Sequence, residues 1–236
     1  MYRIPRIDCN VACPASLEEA FARTVRETVA CNNWPADFPY APQVGFRIFH
    51  TGADLLLRFD VAERCTAART LDDNGPVWTD SCAEFFFRPE GSDSYYNFEC
   101  NCIGTLLVGH RRDRTQAEHA PAEVLRTVRR RATYPHAPLP ETEGDNRWTL
   151  TLAIPAAALF RDRLARWDGV RGAMNLYKCG DDLSCPHYLS WRPVGTPAPD
   201  FHRPEKTSAG ACSAPSSSNR YFSTWEQYHL SLLPVF

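Results

Sequence analysis

The chain consists largely of short segments in which apolar and polar residues alternate, and this pattern limits the folds open to it. Gly, Pro, Asn or Asp bounds each segment, and these residues favour turns. Many short strands separated by turns are typical of an antiparallel β-sandwich rather than a parallel α/β sheet. We therefore predict a mainly β protein. Its predicted strands are Val44–Phe49, Asp54–Val61, Cys82–Arg88, Tyr95–Asn101, Gly104–Val108, Trp148–Ile154, Gly172–Lys178, Tyr188–Arg192 and His229–Leu233.

Three stretches depart from the two-residue period. A four-residue apolar repeat behind a capping-box sequence predicts a short N-terminal helix from about Leu17 to Ala30. Ala156–Leu164 predicts a minor helical turn, and Glu118–Thr133 fits either a short helix or a basic strand. Because no repeat or linker interrupts the chain, we expect one domain over residues 1–236, with its core from about residue 34 to 233.

Charge and hydropathy exclude some classes of partner. The formal net charge is −2 and the isoelectric point is about 6.4, whereas a general nucleic-acid binder is far more basic. Apolar runs such as Phe85–Phe87 are too short to cross a bilayer. Residues Met1–Pro14 have no continuous apolar region of the kind found in signal peptides. We expect a cytoplasmic protein for the sequence as written, or an extracellular or periplasmic one if a leader was removed, and the oligomeric state stays open.

The ten cysteines do not have the spacing of a disulfide framework. Cys82, Cys100 and Cys102 fall inside strand-like segments, where a free cysteine acts as a small apolar residue. We therefore expect mostly reduced thiols. If one bridge forms, Cys179 and Cys185 in a predicted loop are the favoured pair.

Motifs for nucleophilic catalysis and nucleotide binding are absent, since there is no G-x-S-x-G elbow, G-x-G-x-x-G loop or P-loop. Glu84 and Glu99 lie on adjacent predicted strands and could form the carboxylate pair of a glycoside hydrolase. The preferred interpretation is that these carboxylates only accept hydrogen bonds from sugar hydroxyls.

Metal sites have weak support in the sequence. His187 and His202 are interpreted as loop histidines without a metal. Asp181-Asp182 and the run 72–74 could hold a structural calcium ion, although acidic loops are usually only solvated. A dense set of arginines is interpreted as a solvated sheet edge, with attraction of an anionic polysaccharide as the alternative: Arg111, Arg112, Arg114, Arg126, Arg129, Arg130 and Arg131.

One face of the predicted strands carries amides and carboxylates, and tryptophans flank it. Trp78 precedes a strand that bears Glu84, and alternation places Asn97, Glu99 and Asn101 on one face of the next strand. Indole rings pack on the C–H faces of pyranoses, and amides and carboxylates pair with hydroxyls. With Asn175 on a third strand and Trp191 beyond it, this face predicts a sugar site. The alternative is that both tryptophans belong to the core.

Six sequence blocks in series resemble the family-9 carbohydrate-binding modules and their relatives, which share the DOMON-like β-sandwich. The order of the blocks matches across roughly residues 34 to 233, most of the chain. They are VWTDSCAEFFFRP at Val77–Pro89, YYNFECNCIGTLL at Tyr95–Leu107, WTLTLAIPAAAL at Trp148–Leu159, GAMNLYKC at Gly172–Cys179, SWRPV at Ser190–Val194 and FHRPE at Phe201–Glu205.

The resemblance implies a non-catalytic, jelly-roll-like module of the kind associated with polysaccharide breakdown. It implies a mono- or oligosaccharide held between two tryptophans, with Trp78 and Glu84 matching the first tryptophan and the acidic residue, and Trp191 as the second wall beside Asn175. The family's basic sugar-contacting residue has no match, since Asn97 or Glu99 stands at its place. No cofactor is expected. Some DOMON relatives bind haem, which would need an axial pair such as Met and His; the only methionines are Met1 and Met174, and Met174 is predicted on the apolar face.

Overall fold

The computed structural model describes residues 2–203 in full and the backbone of residues 206–207 and 225–229. Its strands form two sheets that pack face to face. The five strands of sheet A follow the order β1-β3-β4-β10-β9, and the main path of sheet B is β13-β14-β11-β5-β6-β7-β8, with β12 and β2 attached at β11. Apart from the parallel pair β13–β14, neighbouring strands are antiparallel. The predicted antiparallel β-sandwich is confirmed.

The elements have the following bounds. The helices are α1 (Pro14–Ala22) and α2 (Ala122–Leu125), with 3-10 turns at Val77–Thr79 and Ala156–Ala158. The strands are β1 (Glu27–Thr28), β2 (Cys31–Asn32), β3 (Gln43–His50), β4 (Asp54–Ala68), β5 (Cys82–Pro89), β6 (Tyr95–Asn101), β7 (Leu106–Arg111), β8 (Ala117–His119), β9 (Arg129–Ala132), β10 (Leu139–Pro155), β11 (Arg171–Cys179), β12 (Tyr188–Ser190), β13 (Lys206–Thr207) and β14 (Trp225–His229).

Alternation along the strands separates the core between the sheets from their outer faces. In β4, Leu55, Leu57 and Phe59 lie in the main apolar cluster, whereas Arg58 and Asp60 are half-buried and form an ion pair with each other. In β6, Tyr96, Phe98 and Cys100 enter the same cluster. The opposite residues of β6 are therefore left for the outer face of sheet B.

The predicted N-terminal helix differs from the observed one. Helix α1 begins at Pro14 after Cys13, without a side-chain cap, and ends at Ala22. The predicted continuation to Ala30 is wrong because the chain turns and forms β1, which pairs with β3. Arg47 of β3 donates hydrogen bonds to carbonyl groups at this turn. Sheet pairing therefore prevails over the local helical repeat.

Several strand boundaries also differ from the prediction. β4 and β10 are longer than predicted because they pair with each other from Asp54↔Pro155 to Ala68↔Leu139, with two register shifts. β7 begins and ends later than predicted, at Leu106 and Arg111. The stretch Glu118–Thr133, which the sequence fits either to a short helix or to a basic strand, contains both: the helix α2 and the strand β9. Apart from His229, the predicted strand His229–Leu233 lies outside the described residues.

Strand β9 is the edge of sheet A, as predicted for part of the arginine cluster. Arg129 pairs with Asp54 at 2.8 Å and Arg130 pairs with Asp73 at 2.6 Å. Charged side chains along an exposed edge oppose pairing with another chain. These arginines protect the edge, whereas Arg111 has a different environment, described below.

A fully buried ion pair links the two sheets. Lys178 Nζ of β11 lies 2.8 Å from Glu63 Oε2 of β4 and 2.7 Å from His187 Nε2. Trp148 Nε1 and Thr66 Oγ1 donate to Glu63 Oε1. Burial alone would raise the pKa of Glu63, but Lys178 and His187 hold this pKa below its usual value. The network joins the end of β11 to β4 across the core between the two sheets.

Among the residues that the structure describes, eight cysteines, including Cys179 and Cys185, are free thiols, whereas Cys31 is disulfide-bonded. Cys82, Cys100 and Cys102 are buried. Within the described residues, no helix is long and apolar enough to cross a membrane.

Candidate functional site

A cavity of about 210 Å³ opens on the outer face of sheet B, on the side away from sheet A. Central strand β5 forms its floor between β6 and β11. The 3-10 turn before β5, the loop after β11 and the segment 199–202 form its walls. Its lining residues are Trp78, Glu84, Glu99, Arg111, Arg114, Cys179, Asp181, Tyr188, Pro199, Asp200, Phe201 and His202.

Trp78 lies at the rim of this cavity and is 38% exposed, unlike the buried tryptophans of the core. Buried Asp80 holds the turn in place, because its carboxylate accepts hydrogen bonds from the backbone of Arg69 and Thr70. The carbonyl of Trp78 accepts a hydrogen bond from the amide of Asp181. The turn is therefore tied both to the end of β4 and to the loop after β11, which leaves the indole ring beside the cavity.

Glu84 and Glu99 lie opposite each other on β5 and β6 as direct cross-strand partners. Both are 3% exposed. Burial, and then the like charge of Glu99, raises the pKa of Glu84 well above its usual value. Burial raises the pKa of Glu99 to about 7, although Asn97 and Arg111 oppose the rise. The pair can therefore hold a proton near neutral pH, and it can both donate and accept hydrogen bonds.

Arg111 brings a positive charge to the cavity. It lies at the end of β7, opposite Tyr95, and is 9% exposed. Arg111 Nε donates to Asn97 Oδ1 at 3.0 Å, and Asn97 Nδ2 donates to Glu99 Oε1 at 2.6 Å. The interpretation of Arg111 as part of a solvated edge is wrong, because this side chain turns inward and lines the cavity.

Gly109 makes room for this arrangement. A Cβ atom at this position would lie 2.5 Å from Asn97 Oδ1 and 3.1 Å from Arg111 Nε. Any larger residue would therefore displace the amide or the guanidinium group. The alternation of Leu107, Gly109 and Arg111 could have placed this arginine on the polar face, had the predicted strand not ended at Val108.

Aromatic rings from the segment 199–202 and from β12 form the wall opposite the carboxylates. Phe201 stacks on Tyr177 with ring centroids 4.1 Å apart, and Tyr188 lines the cavity beside it. Tyr95 Oη lies 2.8 Å from His202 Nδ1, and burial lowers the pKa of His202 to about 3. Burial and then Asp182 raise the pKa of Asp181 to about 6. The prediction contained none of these side chains as ligand contacts.

Trp191 and Asn175, which the sequence predicts as part of the sugar site, lie outside the cavity. Trp191 is buried in the core between the sheets, where its ring packs edge-on against Phe46 with centroids 5.3 Å apart. Asn175 Oδ1 accepts a hydrogen bond from the amide of Arg192, and Asn175 Nδ2 donates to the carbonyl of the same residue. Neither residue lines the cavity. Asn97 also lies behind the lining, where it links Arg111 to Glu99.

One group of metal-ligand type lies at the cavity floor. A sulfur of Cys82, a sulfur of Cys179 and a carboxylate oxygen of Glu84 lie within 4.8 Å of one another. Cys179 Sγ donates to Glu84 Oε1 at 3.0 Å, and burial raises the pKa of the Cys82 thiol to about 12. These three groups could hold a soft divalent cation only if the thiols lost their protons.

Three of the other metal and haem candidates, Asp73, His187 and Met174, are engaged elsewhere in the protein. Both carboxylate oxygens of Asp73 accept hydrogen bonds from Arg130, so a calcium ion there would compete with this ion pair. His187 bonds to Lys178. Met174 lies in the apolar core and faces away from the cavity.

Comparisons with known proteins identify the family of the chain. The model of carbohydrate-binding family 9 matches residues 13–209. The solved structure of a "putative carbohydrate-binding protein" from Bacteroides uniformis is 36% identical, covers 96% of this chain and 97% of its own, and superposes with a TM-score of 0.82. No curated protein matches the chain.

Two further solved structures have low similarity to the chain. They contain a family 9 carbohydrate-binding module from Caldicellulosiruptor kristjanssonii, in complex with glucose and with cellotriose. Their identities are 9% and 7%, with TM-scores of 0.45 and 0.44, and each covers 81% of this chain and 83% or 80% of its own. On the family match and the Bacteroides uniformis structure, the chain belongs to carbohydrate-binding family 9.

Proposed function

We propose that the protein binds a mono- or oligosaccharide non-covalently in the cavity beside Trp78, without catalysing a reaction. The observation that carries the proposal is the half-exposed indole of Trp78 beside a cavity whose floor holds Glu84, Glu99 and Arg111. Family membership and the printed name of the Bacteroides uniformis relative support a sugar as the ligand.

The chemistry of these side chains suits vicinal sugar hydroxyls. A carboxylate accepts a hydroxyl hydrogen, whereas a guanidinium or protonated carboxyl group donates to a hydroxyl oxygen. Arg111 and the Glu84–Glu99 pair therefore provide both kinds of partner at the cavity floor. The indole of Trp78 and the ring of Tyr188 provide apolar surfaces for the C–H faces of a pyranose. In this proposal Tyr188 and Phe201 take the place of the second tryptophan.

Isothermal titration of the folded protein with a panel of mono- and oligosaccharides tests the proposal. At least one sugar should bind, and Trp78→Ala should weaken that binding at least tenfold with a nearly unchanged Tm. Val25→Ala is the matched control, because Val25 is also an exposed apolar side chain but does not line the cavity. No binding across a broad panel, or equal binding by Trp78→Ala, would contradict the proposal.

A glycoside hydrolase is the second candidate, because Glu84 and Glu99 face each other in the cavity and both have raised pKa values. A hydrolase needs one carboxyl group as acid and the other as base or nucleophile. Incubation with a panel of aryl glycosides distinguishes the two candidates. Release of the aryl alcohol by the wild type, and its loss in Glu99→Gln, would favour hydrolysis; no release by either protein would favour binding alone.

A further inference from the structure

Two thiols that are far apart in the sequence meet beside the loop that borders the cavity. Cys65 lies in β4 of sheet A, and Cys185 lies in the loop between β11 and β12 of sheet B. Their sulfur atoms are 2.9 Å apart. Cys65 is 1% exposed and Cys185 is 5% exposed. Since a disulfide bond is about 2.05 Å long, the two sulfurs need to approach by only about 0.9 Å.

The surroundings of the two sulfurs differ in a way that assigns them different roles. Arg64 donates to Cys185 Sγ from Nε at 3.0 Å and also from Nη2. The thiol of Cys65 donates to the same sulfur. Donors that converge on a sulfur would stabilise a thiolate formed there, and the thiolate is the form that reacts with oxidants. Burial raises the pKa of Cys65 to about 11, so Cys65 stays a protonated thiol beside its partner.

We propose that Cys65 and Cys185 are an oxidation site, at which a hydroperoxide converts the two thiols of the folded protein to a disulfide. In the first step, the Cys185 thiolate attacks one oxygen of hydrogen peroxide, the O–O bond breaks, and hydroxide leaves with a sulfenic acid on Cys185. In the second step, the Cys65 sulfur attacks Cys185 Sγ, the S–O bond breaks, and the Cys65 proton leaves with the hydroxyl group as water. Two thiols are oxidised and one peroxide is reduced to two waters.

This bond would join the two sheets next to the cavity. The loop that carries Cys185 also carries Asp181 and Asp182, whose amides donate to the carbonyls of Trp78 and Thr79. His187 of the same loop is bonded through Lys178 to Glu63, two residues before Cys65. Oxidation would therefore add a covalent link at the place where the loop already contacts β4. The proposal does not depend on sugar binding.

Peroxide treatment of the full-length folded protein tests the proposal. The protein is treated with hydrogen peroxide, its remaining thiols are alkylated, and its proteolytic peptides are analysed by mass spectrometry. We expect one peptide pair linked through Cys65 and Cys185, which separates on reduction. Because the bond would close a loop of about 120 residues, Tm should rise by roughly 10 °C.

Three variants complete the design. Cys65→Ala and Cys185→Ala should each lose the linked peptide and the rise in Tm, whereas Cys9→Ala, which removes a more exposed thiol, should keep both. The wild-type result stands even if a core variant fails to fold. Two results with the wild-type protein would overturn the proposal. In one, both thiols stay open to alkylation after peroxide treatment. In the other, Cys185 is oxidised beyond sulfenic acid and no link to Cys65 forms.

Discussion

Glu84 and Glu99 face each other across β5 and β6 as direct register partners, and both side chains are almost fully removed from solvent. Two carboxyl groups in such a position cannot both carry a charge at low cost, because burial and mutual repulsion disfavour the second charge. Both side chains line the cavity, so a ligand in the cavity can reach both.

The pair makes stability depend on pH. The pKa of Glu99 rises to about 7 in the folded protein, so the folded state binds this proton more tightly than the unfolded chain does. Its stabilisation is fully present below the unfolded pKa, near 4.5, and is lost as pH rises through 7. The free energy of unfolding should therefore fall by about 3 kcal/mol over this window from this group alone.

Urea unfolding at pH 5 and pH 8 measures this effect. In Glu99→Gln the free energy of unfolding should fall less between pH 5 and pH 8. The Gln amide keeps an acceptor for Asn97 but has no proton to lose. Glu90→Gln, at an exposed position, is the control and should follow the wild type. Parallel curves for wild type and Glu99→Gln would show that Glu99 does not titrate with a raised pKa.

Trp78 and Trp191, which the sequence predicts as two walls of one sugar site, should differ sharply in the stability lost on substitution. Trp191 packs against Phe46 and Tyr2 in the core, so Trp191→Ala should lose about 3–5 kcal/mol of stability. Trp78 is half-exposed, so Trp78→Ala should lose about 1 kcal/mol or less. Chemical denaturation of both variants checks the difference. Equal losses would place Trp78 in the core as well.

Arg111 should be needed for affinity if the cavity binds sugar as proposed. Arg111→Gln removes a charged donor, and a hydrogen bond to a charged group contributes about 1.5–3 kcal/mol, so affinity should fall roughly 10- to 100-fold. Arg112→Gln changes the neighbouring exposed arginine and should leave affinity unchanged. Calorimetric titration with the best-binding sugar checks both variants, and equal affinities for the two would remove Arg111 from the site.

Breaking the buried ion pair between Lys178 and Glu63 should cost more stability when Lys178 alone is replaced than when both residues are replaced. Lys178→Met leaves the Glu63 carboxylate buried without its cation, which should lower stability by about 3–5 kcal/mol. Adding Glu63→Gln should recover part of this loss, because a Gln oxygen still accepts from Trp148 and Thr66. Urea unfolding of the single and double variants measures the recovery. Additive losses in the double variant would contradict the argument.

The strands near the site illustrate what local pattern can predict. Alternation in β6 placed Tyr96 and Phe98 toward the core and Glu99 toward the outer face, as observed. The bounds of β6 also agree, because its apolar and polar residues alternate without interruption. By contrast, the helical repeat wrongly extended the predicted N-terminal helix to Ala30. The chain forms β1 there instead, because β1 pairs with the distant strand β3, and a local sequence pattern carries no information about such a contact.

The sequence by itself determined the class of fold, the faces of the central strands and the position of Trp78 and Glu84 on one of them. It did so because side-chain alternation and turn residues act over a few neighbouring positions. Only the tertiary structure decided that Trp191 belongs to the core, that Arg111 turns inward over Gly109, and that Cys65 lies beside Cys185. These outcomes depend on which distant segments pack together, and packing is set by the whole chain rather than by any one segment.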